Sequence, residues 1–127
     1  RAGGAPIVAT PSGYLYLEPA APRRPVRVFS CRHETLSDAR RELMILVQGG
    51  GTVRDVIVEH PVYGEIAGSL MLRTPEAVED LIARLGLPGA GMLSSVTGGV
   101  HMHTVEARSE AVLDALEARL KEAGILA

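Results

Sequence analysis

Apolar and polar residues along the chain repeat with two periods, and the switches between them mark the elements. "VRVFSC", from Val26, is short, apolar and rich in valine, the pattern of a strand. "HETLSDARRELMILVQGG" carries Leu36, Ala39, Leu43, Leu46 and Val47 at helical spacing, and Gly49–Gly51 predict its end. "TVRDVIVE" and "IAGSLML" return to strand composition on either side of "HPVYGE", a connection holding Pro and Gly. "TPEAVEDLIARLG" predicts a helix with Thr74 as N-cap, Pro75 as its first residue and Gly86 as its stop. "PGAGMLSSVTGG" contains a short strand-like run around Met92–Val96, and "VHMHTVEA" reads as a further strand. "RSEAVLDALEARLKEAG" is an amphipathic helix whose stripe is read as Val112, Ala115, Leu116 and Leu120, with the Arg119 stem alongside.

The order β-α-β-β-α-(β)-β-α predicts an α+β two-layer sandwich, a mostly antiparallel sheet with its helices on one face. Residues 1–25 stand apart. "IVAT" and "YLYL" flank "PSG" and read as a small hairpin, and "EPAAPRRP" reads as a linker because its prolines block helix and ladder. A two-stranded ribbon is marginal alone, so this one is expected to pack on something else. The first residue is Arg1 rather than Met, and the chain is expected to be a piece of something longer.

Composition narrows the function. At 127 residues the chain has the length of one domain and enough of it to bury a core. A net charge of −2 and a pI near 6.1 argue against gripping nucleic acid or an anionic membrane by bulk electrostatics. The single cysteine, Cys31, makes no internal disulfide and suits a cytoplasmic location. No apolar run is long enough to span a bilayer, and no signal-peptide pattern appears.

The candidate chemistry lies in the histidines. There are four, and His101 and His103 stand one residue apart on a strand. Strand side chains alternate faces, so the two imidazoles point the same way, about 7 Å apart along the strand. So placed, they can converge on one metal ion, and imidazole suits zinc, nickel, copper and iron; the plainer alternative is a pair of solvated surface histidines. His33 closes the first strand, and reads equally as a residue opening the helix. Glu42 lies at the edge of that helix's apolar stripe, where it either turns toward the sheet or stays in solvent. His60 ends the second strand on the face of Val56 and Val58 and reads as a pocket or core group before a ligand. Catalytic patterns are thin. Ser94, Ser95 and Thr97 lack a nucleophile elbow, and no dinucleotide or P-loop fingerprint is present. Cys31 beside His33 reads as buried and inert.

"FSCRH", "ILVQGGGTVRDVIVEHPVYGEI", "SLML", "GGVHMHT" and the closing "LKEAGIL" together resemble the three-histidine (3H) domain, the effector domain of the niacin-responsive transcriptional repressors of bacteria. The resemblance runs from about Val26 to the C-terminus. "APIVATPSGYLYL" also resembles the end of that family's winged-helix DNA-binding domain, which makes residues 1–25 its wing hairpin and linker. The resemblance implies a fold like that of the phosphocarrier HPr, and a divalent metal, nickel or zinc, held by His33, Glu42, His101 and His103. Glu34 and Asp38 stay open as alternatives to Glu42, because the His33–Glu42 segment is a residue longer than the family pattern. It further implies nicotinic acid as co-repressor, a homodimer, operator DNA contacted only through the winged helix, and regulation of NAD biosynthesis or niacin uptake genes. His60 and Tyr63 are read as contacts to the effector beside the metal. Two other classes fit the same residues. One is a metal-dependent hydrolase, with Glu59 or Glu65 as its base. The other is a metal-stabilised dimerisation module without a small ligand.

Overall fold

A computed structural model describes residues 24–89, 91 and 99–127. Of the hairpin and linker read in residues 1–25, residues 1–23 lie outside them, as does the short strand read around Met92–Val96. Seven elements follow one another: β1 (Val26–Arg32), α1 (Leu36–Gln48), β2 (Thr52–His60), β3 (Gly64–Leu72), α2 (Pro75–Leu85), β4 (Val100–Glu106) and α3 (Glu110–Glu122). The strands form one antiparallel sheet in the order β1-β4-β2-β3. This is the α+β two-layer arrangement that the alternation of periods predicts.

Each helix starts on a hydroxyl cap that supplies an acceptor to an otherwise orphaned N–H. Thr35 accepts from Asp38 N, Thr74 from Ala77 N and Ser109 from Val112 N. α1 ends at Gly49, and Gly50 follows with φ +101°, a backbone that favours glycine. At Gly51 the chain passes so close to Val105 and Leu46 that a Cβ would stand 2.8 Å from the Val105 side chain.

The core lies between the sheet and the helices. Phe29 and Cys31 of β1, Val53 of β2, Leu72 of β3 and Val105 of β4 meet Leu43 and Leu46 of α1, Val78 of α2 and Leu113, Leu116 and Leu120 of α3. The α3 stripe differs from the sequence reading: Leu113 is fully buried, while Ala115 is exposed. The helix is rotated so that its leucines face the sheet, because they bury more apolar area than the alanine would. After α3 the chain folds back onto β1. Arg32 N donates to Ile125 O, Ala127 N donates to Ser30 O, and Leu126 bridges Cys31.

Candidate metal centre

Three elements bring four side chains to one point under α1. Glu42 falls between Ala39 and Leu46 on the buried stripe of α1, so the helix carries its carboxylate into the core with the apolar side chains. His101 and His103 occupy alternate positions of β4 and share its helix-facing side with Val105. His33 follows β1, and its backbone N–H donates to Gly99 O. Glu42 is 0% exposed, and His33, His101 and His103 are all buried.

The Glu42 carboxylate lies among the three rings. Its oxygens stand 2.9 and 3.0 Å from His101 Nε2, 3.0 Å from His103 Nε2 and 3.6 Å from His33 Nε2. The ring centroids of His33 and His101 are 4.4 Å apart, and those of His101 and His103 are 4.8 Å apart.

The other nitrogen of two rings is already committed. His101 Nδ1 lies 2.9 Å from Gly99 O, and His103 Nδ1 lies 2.7 Å from Asp55 O. A backbone carbonyl only accepts, so each Nδ1 carries a proton and donates it. In the neutral imidazole, that leaves a lone pair on Nε2 aimed at Glu42. A carboxylate also only accepts. Lone pairs on both sides of a 3 Å gap are stable when a positive charge lies between them, either a proton on each imidazole or a metal cation. Fixing the tautomer through a carbonyl is also how proteins commonly orient histidine ligands toward a metal.

The pKa shifts follow from the same geometry. Burial works to raise the Glu42 carboxyl, but hydrogen bonds from His101 and His103 outweigh it and hold the group well below the usual carboxylate range. For His101, burial works to lower the pKa, yet Glu42 dominates in sum and the net shift is upward. His33 has the weaker contact to Glu42, and burial prevails in pulling it down. Its Nδ1 is buried without a hydrogen-bond partner. The Cys31 thiol is pushed up by burial and then by Glu42, which keeps it protonated. It still belongs to the cluster: Cys31 Sγ, a Glu42 oxygen and a His101 nitrogen lie within 4.8 Å of one another.

The donor set fits a divalent transition ion. Three imidazoles and a carboxylate are the ligand types of zinc and nickel sites. His33 Nε2 faces the same carboxylate as the other two rings, and the unpartnered Nδ1 leaves that ring's hydrogen bonding incomplete within the protein. Beside the cluster is a cavity of about 190 Å3. His33, Glu42, His101 and His103 form its polar end, and Ala39, Leu43, Val56, Leu70, Leu81 and Leu85 form most of its apolar wall.

All four residues of the inferred ligand set therefore meet. Of the alternatives to Glu42, both Glu34 and Asp38 are exposed. His60 and Tyr63 sit elsewhere. His60 Nδ1 accepts from Val62 N and Tyr63 N at 3.0 and 3.2 Å, which closes the β2–β3 turn. Its ring lies 4.8 Å from that of Tyr63, which is exposed, and neither residue is among those lining the cavity. Sequence reasoning missed Gly99 and Asp55, whose carbonyls orient His101 and His103. Their only sequence signals are a glycine just before the His-x-His strand and an acid interrupting a β-branched run.

Residues 26–127 match the 3H domain, and the chain belongs to this family. It is similar to the transcription repressor NadR of Bacillus subtilis, with 38% identity over 128 residues, which cover 99% of this chain and 71% of that protein. It is also similar to the probable transcription repressor NiaR of Thermotoga maritima, with 37% identity over 127 residues, which cover 99% and 70%. Among the described residues, no helix is long and apolar enough to cross a membrane.

Proposed function

We propose that this chain is the metal-dependent sensing part of a transcription repressor, with nicotinic acid as its co-repressor and genes of NAD biosynthesis or niacin uptake as its targets. The observation that carries the reading is the fixed tautomer of His101 and His103, whose Nε2 atoms face a fully buried carboxylate at the end of an apolar cavity. His33, Glu42, His101 and His103 would hold the ion, zinc or nickel. When bound, the ion would supply a Lewis-acidic position for an anionic ligand. The protein side of recognition is the cavity. An apolar cavity of roughly 150 Å3 takes up benzene, so about 190 Å3 suits a single aromatic ring with a small substituent. Leu70, Leu81 and Leu85 would shield the ring from water, and the histidine cluster would meet its charged end. The repressor relatives support a regulatory role over a hydrolase, and Glu59 and Glu65 are both exposed, away from the cavity lining.

Calorimetry of nicotinate and nicotinamide against metal-loaded and chelated protein tests the proposal. Nicotinate is expected to bind the loaded form, and to bind the chelated form much more weakly. Nicotinamide is expected to bind worse, because a neutral amide is the poorer metal ligand. Equal affinity with and without metal would reject the metal-coordinated reading. The same titration places the turn: weaker nicotinate binding by Tyr63→Ala would bring His60 and Tyr63 into the site, and unchanged binding would confine the ligand to the cavity.

Operator contact is proposed to belong to the rest of the winged-helix domain, of which residues 1–25 would be only the wing hairpin and linker, and sensing to residues 26–127. The repressor is proposed to act as a two-fold dimer in the cytoplasm, matching the palindromic operators that such proteins read. Sedimentation equilibrium is expected to give twice the chain mass, and a monomer at high concentration would remove the dimer interface from this chain.

A further inference from the structure

The pairing of β2 with β4 breaks at one place, and the break is next to His103. Val53 pairs with Val105, and pairing resumes at Ile57 with Met102. Three residues of β2, 54–56, thus face two of β4, 103 and 104, so β2 carries one extra residue, a bulge. The β2–β3 register shifts at the same point, between Val53 and Asp55.

Asp55 sits in this bulge and bonds β4 twice. Its side-chain Oδ1 accepts from the Thr104 backbone N–H at 2.9 Å, taking a donor that points across the bulge. Its backbone carbonyl accepts from His103 Nδ1–H at 2.7 Å. Aspartate is disfavoured within strands, and here it interrupts the run "TVRDVIVE". A bulge that re-aims a group beside a functional site is a recurring device.

We propose that Asp55 is the positioning residue of the centre: its carboxylate anchors the bulge to Thr104, so that its carbonyl locks the tautomer and direction of His103. This rests on the metal-centre reading above. It assigns a role to a residue that itself contacts neither metal nor effector.

The test compares the full chain with Asp55→Ala and Asp55→Asn. Zinc and nickel affinities are measured by competition with a chelator. In the metal-free proteins, labelled with 15N-histidine, exchange of the His103 Nδ1 proton with water is followed by NMR. Asp55→Ala is expected to lose about 10- to 100-fold in metal affinity, the usual cost of removing an orienting partner, and to exchange that proton faster. Asp55→Asn keeps an acceptor for Thr104 N–H and is expected to restore most of both. Should Asp55→Ala fail to fold, Asp55→Ser takes its place, with an intermediate loss expected. Wild-type affinity and exchange in Asp55→Ala, or an Asp55→Asn as defective as the alanine variant, would overturn the proposal. If the unaltered chain takes up neither zinc nor nickel, the metal reading fails, while the imidazole proton still decides the role of Asp55.

Discussion

Changing His101 and His103 together to alanine is expected to abolish stoichiometric zinc or nickel binding and to destabilise the fold by several kcal/mol. The first effect follows from losing two of four ligands. The second follows from Glu42, which is 0% exposed and would keep only His33, at 3.6 Å, and the neutral Cys31 thiol as partners. Breaking a buried charged pair by removing one side costs about 3–5 kcal/mol. The remedy separates the two effects. Adding Glu42→Leu removes the stranded charge and is expected to recover much of the stability, since apolar replacements of buried ionic groups are often neutral or better, while metal stays absent. Elemental analysis reads the metal, and urea unfolding reads the stability. A double histidine variant that keeps full metal occupancy would show that the ligands are other residues.

Gly99→Ala is expected to weaken both the fold and the centre. Gly99 has φ +93°, and a Cβ there would stand 2.0 Å from the His33 carbonyl oxygen, inside any tolerable contact. Gly99 O also accepts from both His33 N and His101 Nδ1. A methyl group at this position therefore separates the two histidines that one carbonyl holds together. Backbone strain of this kind costs about 1–3 kcal/mol, and misplacing a ligand about 10- to 100-fold in metal affinity. Gly64→Ala is the control: its φ is +77°, but nothing lies within 4 Å of the added carbon. It is expected to show the strain without the loss of metal. Equal metal affinity in the Gly99→Ala and unaltered proteins would mean that the His33–Gly99–His101 connection does not set the site.

The elements were legible in the sequence because their signals are local. Thr74-Pro75 and Gly86 bound α2 as expected, and β1, β2 and β4 follow their runs of valine and isoleucine within a residue or two. The facing of the two β4 histidines was equally legible, since strand alternation is rigid. Glu42 was not decidable by period alone. A charge at the margin of an apolar stripe is a solvated group or a buried one depending on what lies across from it, and that partner is 59 residues away on β4. The stripe of α3 was legible at Leu116 and Leu120, but Leu113 was missed because Val112 and Leu113 are both apolar, and only the angle at which the helix meets the sheet separates them. The bulge at Asp55 has no period at all. It arises where two neighbouring strands force β2 into different registers, which is a property of the assembled sheet.

The C-terminal tail has a consequence beyond closing the core. β1 is the outer strand of the sheet beside β4, and Ile125–Ala127 occupy its outward hydrogen-bonding groups along Ser30–Arg32. An open strand edge is a template on which another chain can polymerise, and here Val26 and Val28 already expose apolar side chains on the strand. With Ile125–Ala127 as a blocking strand, the domain shortens that template to the first half of β1. Removing Ile125–Ala127 would expose the whole edge together with the apolar patch, turning the domain toward self-association by strand stacking.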